Sequence, residues 1–210
     1  MELACDKRGE GWRLIAAADD QIDTATAFDA ALATVSDHRR SKALSFLFEK
    51  DRRTSLLAGL LLDELLKEAG LRERDMVYKV SDLGKPTFAE HEDLHFSLAH
   101  SSGMAVGALS AKPIGVDVER LPGFPTDIAE PYEWTEMESV GKLLGCGVGT
   151  YVDTGTYERP ASVTVEHFVL GDYLVCIARE TGLPYRADKK RFQGPMSDNE
   201  TEHLWKSGNR

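Results

Sequence analysis

The strongest apolar pattern in the chain is helical. Leu56, Leu57, Leu60, Leu61, Leu65 and Leu66 recur at three- and four-residue steps within Lys50–Ala69. That spacing predicts a helix with a broad buried stripe, ended by Gly70. Before it, His38–Leu47 predicts a shorter helix with Ser36 as its N-cap and Arg39, Arg40 and Lys42 on its polar side. Phe28, Ala31 and Leu32 predict a short helix within Asp19–Val35. Alternating or continuous apolar runs predict strands at Trp12–Ala18, Met76–Val80, Leu94–Leu98, Met104–Ser110 and Ile114–Val118. Trp134–Leu144 predicts a last helix, stopped by Gly145 and Gly147. Ser162–Leu170 and Tyr173–Ala178 flank Gly171-Asp172 as a tight hairpin.

The polar positions within these elements carry the candidate chemistry. In a strand, residues i and i+2 share a face. Ile114, Val116 and Val118 therefore point one way, and Asp117 and Glu119 the other. Two carboxylates at a separation of ~4 Å repel by about 4 kcal/mol even at an effective dielectric of 20. Such a pair needs a cation, a proton or bulk water, and taken alone it fits a solvated strand face. Glu138 and Lys142 stand at i and i+4 on one helix face, as a surface ion pair would. Arg39 and Lys42 share a face three residues apart. His100 lies where Leu94–Leu98 gives way to Ser101-Ser102-Gly103, a polar turn whose donors suit an anion cradle.

Composition narrows the class. The apolar share of 42% and charged share of 29% are those of a soluble globular protein. A net charge of −10 argues against a general nucleic-acid or membrane-surface binder. No apolar run approaches the ~18 residues that span a bilayer, and Met1–Trp12 is charged, without the apolar core of a secretory signal. Cys5, Cys146 and Cys176 are too few and too far apart for a disulfide framework or a zinc site. A cytoplasmic monomer is the simplest expectation.

Four motifs occur in order. Gly84-Lys85-Pro86 is followed by Phe96-Ser97-Leu98-Ala99-His100-Ser101, then Gly115-Val116-Asp117-Val118-Glu119, then Trp134 through Glu138 to Lys142. Together they resemble the 4′-phosphopantetheinyl transferases, in particular the two-lobed class acting on carrier proteins of secondary metabolism. The resemblance covers residues 36 to 147. It implies an α+β fold of two similar lobes, each a small antiparallel sheet packed with helices, with the ligand cleft between them. The lobes would span 1–111 and 112–180, with a hinge near Ala111–Pro113 and a polar tail over 181–210.

The same resemblance implies roles. Asp117, Glu119 and Glu138 would hold Mg²⁺, with Glu138 also the base toward an incoming serine. Lys142 and His100 would face the phosphates of coenzyme A. Phe46 and Asp51 align with a family segment that places Arg39 and Lys42 on its cation positions for the 3′-phosphate of coenzyme A; Ser55 falls where the family has a small hydroxyl residue near the adenine, and the family lysine matching Lys85 of the Gly84-Lys85-Pro86 turn contacts the nucleotide end. The partner would be an apo acyl or peptidyl carrier protein, usually acidic, so docking on a chain of this charge calls for a local basic patch. Ala99 stands where the family has a phosphate-binding serine, and Met137 replaces a lysine. The span Arg120–Glu133 is only fourteen residues long and holds three prolines between Leu121 and Pro131, which disfavours a helix there. These departures leave two alternatives: a relative that binds coenzyme A or a carrier protein without catalysis, and another Mg²⁺-dependent phosphoryl-transfer enzyme such as a nucleotide hydrolase.

Overall fold

The leucine stripe folds as read and anchors the first half of the chain. The computed structural model describes residues 1–125, 129–148 and 157–180. The expected tail over 181–210 lies outside them. Helices α1 (Ala25–Leu32), α2 (Asp37–Leu44) and α3 (Glu49–Leu66) follow the opening strands. Ser36 caps α2 by accepting the Arg39 N–H on its hydroxyl, and Gly70 closes the turn after α3 with φ of 71°.

Two antiparallel sheets frame the molecule. The first joins β1 (Cys5–Gly9), β2 (Trp12–Ala18), β5 (His95–Ser101) and β6 (Met104–Ser110) in the order β1-β2-β6-β5. The second orders β7 (Ile114–Arg120), β8 (Val163–Leu170) and β9 (Tyr173–Glu180) as β7-β9-β8. A small hairpin, β3 (Tyr78–Val80) with β4 (Pro86–Phe88), stands apart. The strand period sorts the side chains. Ile15, Ala17 and Ala105 face α3 and pack with Leu57, Leu61 and Leu65. Leu14, Ala16, Val106 and Ala108 face the second sheet, where Val116, Val118, Val175 and Ile177 meet them. Helix α4 (Pro131–Leu144) covers the far side of that sheet through Val140 and Leu143. The fold is α+β, with small antiparallel sheets between helices.

Three local expectations need correction. Strand β1 is absent from the sequence reading. Its segment Cys5-Asp6-Lys7-Arg8-Gly9 is polar because it forms a sheet edge and is exposed at alternate positions. His100 is not in a turn: β5 runs to Ser101, His100 pairs with Ala105, and the reversal falls on Ser102 (φ 48°) and Gly103 (φ 98°). Helix α4 starts at Pro131, three residues before Trp134, because proline at the first helical position lacks only an N–H that has no helical partner there.

Candidate functional site

The second sheet sets the site because β7 lies at its edge and runs beside β5. The Val116 N–H donates to the Ser97 hydroxyl at 3.0 Å, so one side chain ties the two sheets together. Gly115 brings α4 onto β7. A Cβ at that position would lie 1.9 Å from the Ser139 carbonyl oxygen and 2.5 Å from the Leu143 nitrogen, both backbone atoms. Only glycine allows this approach, which carries Glu138 and Lys142 over Asp117.

The Lys142 ammonium donates to Asp117 Oδ1 at 2.6 Å and lies 3.7 Å from Glu138 Oε2. The Asp117 side chain is 6% exposed, so the solvated-face reading fails. Burial raises its carboxyl well above the usual range. Lys142 opposes that rise, while Glu138 and Glu119 add to it. Burial disfavours the Lys142 charge, but Asp117 and Glu138 outweigh it and hold the ammonium protonated above its ordinary value. Glu119 accepts a 2.7 Å hydrogen bond from the Ser101 hydroxyl. Burial raises its carboxyl too, against the pull of Ser101, Lys142 and the Trp134 indole. Ser101 and Trp134 were missed as partners of Glu119, although both stand in the motifs. Because the Ser101 hydroxyl is committed to Glu119, the expected anion cradle of free donors is reduced.

The donor chemistry suits a hard, oxygen-liganded cation. Asp117 Oδ2 is buried without a hydrogen-bond partner, three carboxylates interact electrically, and a lysine supplies the positive charge between two of them. The three are not gathered as one cluster: among the described residues, no three His, Cys, Asp or Glu side chains are arranged to hold a metal ion.

His100 lies within the electrostatic reach of both Lys142 and the α2 cations Arg39 and Lys42. Burial, reinforced by Lys142, Arg39 and Lys42, pushes its imidazole down to about 3, so it is neutral at physiological pH. Phe46 meets its ring edge-on, centroids 5.4 Å apart, and Lys42 Nζ stands 5.1 Å from the Phe46 centroid. Arg39 is 8% exposed, and its Nε has no hydrogen-bond partner. Burial lowers its pKa, while Tyr78 and Glu73 favour the charge. Glu73 is fully buried and accepts from the Ser36 N–H, the Ser36 hydroxyl (2.7 Å each) and the Tyr78 hydroxyl. An isolated glutamate in a polar run gives no sequence signal for this supporting role. Ser55 is buried on α3. Lys85 stands elsewhere: its ammonium donates to the Leu143 carbonyl at the C-terminus of α4, at 2.8 Å. Burial pushes it down to about 8.

The chain is 31% identical over 99 residues to the 4′-phosphopantetheinyl transferase psf-1 of Bacillus pumilus, covering 47% of this chain and 42% of that protein. It is 30% identical over 116 residues to a 4′-phosphopantetheinyl transferase of Bacillus subtilis, covering 53% and 52%. The 4′-phosphopantetheinyl transferase gsp of Aneurinibacillus migulanus matches at 29% over 106 residues, covering 50% and 44%. No family model matches. The chain spans about half the length of the curated relatives it matches. Over the matched half, the chain is similar to 4′-phosphopantetheinyl transferases.

Proposed function

We propose that the chain transfers the 4′-phosphopantetheine group of coenzyme A to a serine of an apo acyl or peptidyl carrier protein, in a Mg²⁺-dependent reaction. The observation that carries this reading is convergence. Motif residues from β5, β7 and α4 meet at one joint, where Lys142 bridges Asp117 and Glu138 and where Ser101 holds Glu119. The two sheets, taken as lobes 1–111 and 112–180, would receive coenzyme A where β5 and β7 run side by side. Arg39 and Lys42 would take the 3′-phosphate and Ser55 the adenine side. Lys85 would need to leave Leu143 before it could reach the nucleotide.

The chemistry is a phosphoryl transfer. The serine oxygen forms a bond to the β-phosphorus of coenzyme A, the bridging P–O bond breaks, and adenosine 3′,5′-bisphosphate leaves with the electron pair. Positioning and charge stabilisation dominate such reactions. Mg²⁺ held by Asp117, Glu119 and Glu138 would neutralise charge on the pyrophosphate. Glu138 would accept the serine proton, directly or through water. Lys142, released from Asp117, would turn its ammonium to the phosphates, and neutral His100 would donate an N–H to them.

Intact-mass measurement on a panel of apo carrier proteins, with coenzyme A and MgCl₂, tests the reading. A gain of one phosphopantetheine group is expected. No gain on any carrier overturns it, and release of product without a carrier points to a hydrolase. Lys42→Ala should raise KM for coenzyme A about tenfold, as expected for a lost charge-assisted hydrogen bond, with less effect on 3′-dephospho-coenzyme A. Equal losses with both would remove Lys42 from the 3′-phosphate.

A further inference from the structure

The hairpin of β3 and β4 belongs to neither sheet, yet it reaches across to α4. Its turn is closed from both sides. The Ser81 N–H donates to the Lys85 carbonyl at 2.9 Å, and the Gly84 N–H donates to the Ser81 carbonyl at 2.8 Å. The Lys85 N–H donates to the Ser81 hydroxyl at 3.0 Å. These bonds fix the direction in which the Lys85 side chain leaves the turn. Its stem lies across Gly145, where a Cβ would stand 3.2 Å from Lys85 Cδ. Its ammonium ends on the Leu143 carbonyl at 2.8 Å. That carbonyl is one of the last four of α4, which have no partner within the helix. The C-terminal end of a helix is its negative pole, which a lysine stabilises and a phosphate does not. Glu180 adds a carboxylate to the same surroundings. An ammonium placed there already has its counter-charges, whereas a nucleotide phosphate drawn to it would meet them as like charges.

Leu143 follows Lys142 directly, on the helix that also carries Glu138. We infer that Lys85 is a positioning residue of the proposed transfer: from the hairpin it holds the end of α4, and through α4 it sets Lys142 and Glu138 against Asp117, without touching the nucleotide. The Lys142 ammonium and Asp117 Oδ1 are 2.6 Å apart. A displacement of the helix end by about 1 Å therefore takes them out of hydrogen-bonding range. Gly115 sets how closely the middle of α4 approaches β7, and Lys85 sets where the helix ends. The role in the reaction rests on the transferase reading; the hold on α4 does not, and the two are tested separately.

Lys85→Met keeps a stem to lie on Gly145 and removes the donor. With an apo carrier that the wild type modifies, kcat at saturating coenzyme A should fall about tenfold to a hundredfold, the cost of misplaced reacting groups. KM for coenzyme A and its calorimetric affinity should stay unchanged. A weakened calorimetric affinity would make Lys85 a nucleotide contact and overturn the inference, and so would an unchanged kcat. Either result leaves the transferase reading standing. A double-mutant cycle in urea unfolding tests the hold on α4 without any reaction. If Lys85 acts on Lys142 through the helix, Lys85→Met and Lys142→Met together should raise the unfolding constant by less than the product of their separate effects, short of it by about threefold or more. Independent effects overturn the inference whether or not any carrier is modified. If Lys85→Met does not fold, Ser81→Ala takes its place in both measurements under the same criteria, with smaller losses, since it loosens the turn and keeps the ammonium.

Discussion

Lys142→Met isolates the electrostatics at the centre of the site. At 2.6 Å, with an effective dielectric of 20, the attraction between Lys142 and Asp117 is about 6 kcal/mol. Removing both ions from water costs several kcal/mol each, so the intact pair is close to break-even. Removing one partner is different, because Asp117 is then buried with Glu138 and Glu119 acting against it. Its escape is to take up a proton. That limits the loss to about 1.4 kcal/mol for each pH unit above the unfolded carboxyl value of ~3.9, or about 4 kcal/mol at pH 7 and about 1.5 kcal/mol at pH 5. The sign follows from proton uptake. The folded pKa lies above the unfolded one, so the folded variant holds the extra proton and loses stability as pH rises between the two. Urea unfolding in EDTA at several pH values measures this against the wild type. Asp117→Asn in the same background removes the orphaned charge and should restore most of the stability at pH 7. A loss equal at pH 5 and pH 7, or no rescue by Asp117→Asn, would refute an ion pair as the organising contact.

Other expectations are simpler. Gly115→Ala drives a methyl group into the α4 backbone and should destabilise the protein by about 4 kcal/mol or more, the range reserved for severe core defects; a thermal melt within a degree or two of wild type would show that α4 can move away. Glu73→Gln weakens the charged hydrogen bonds to Ser36 and Tyr78 and should cost about 2–3 kcal/mol in urea unfolding, with little change if these groups rearrange around the amide. Lys85 titrates near 8 when folded against a reference of 10.5, so the folded state binds fewer protons between those values. Wild-type stability should therefore rise relative to Lys85→Met across that window, and a flat difference would place the ammonium in water.

The elements that could be read from sequence are those whose pattern is local. The α3 stripe, the Ser36 cap, the Gly171-Asp172 turn and the alternation along β7 each follow from a few neighbouring residues. Strand β1 was hidden because its pairing with β2 is the reason it is extended, and its own residues are polar. His100 was misplaced for a related reason. Cross-strand register, not composition, carries β5 through His100 to Ser101 and leaves the reversal to Ser102 and Gly103. The carboxylates could be identified as a charged strand face, but their burial could not, since it depends on Gly115 admitting α4. Arg39 was visible through its family alignment, whereas Glu73 and Tyr78 beneath it had no motif to announce them. Lys85 shows the reverse: a motif residue whose structural partner, the end of α4, lies 58 positions away in sequence.

The bond from the Val116 N–H to the Ser97 hydroxyl has a use as a reporter. That amide points out of the second sheet and is sheltered by a side chain from the first. If the two sheets part to admit a ligand, Val116 loses its acceptor while β7 keeps its ladder to β9. Its hydrogen-exchange rate then measures opening at the joint separately from unfolding of either sheet. Replacement of Ser97 by alanine should set the unlatched rate, against which exchange slowed by a bound nucleotide can be read.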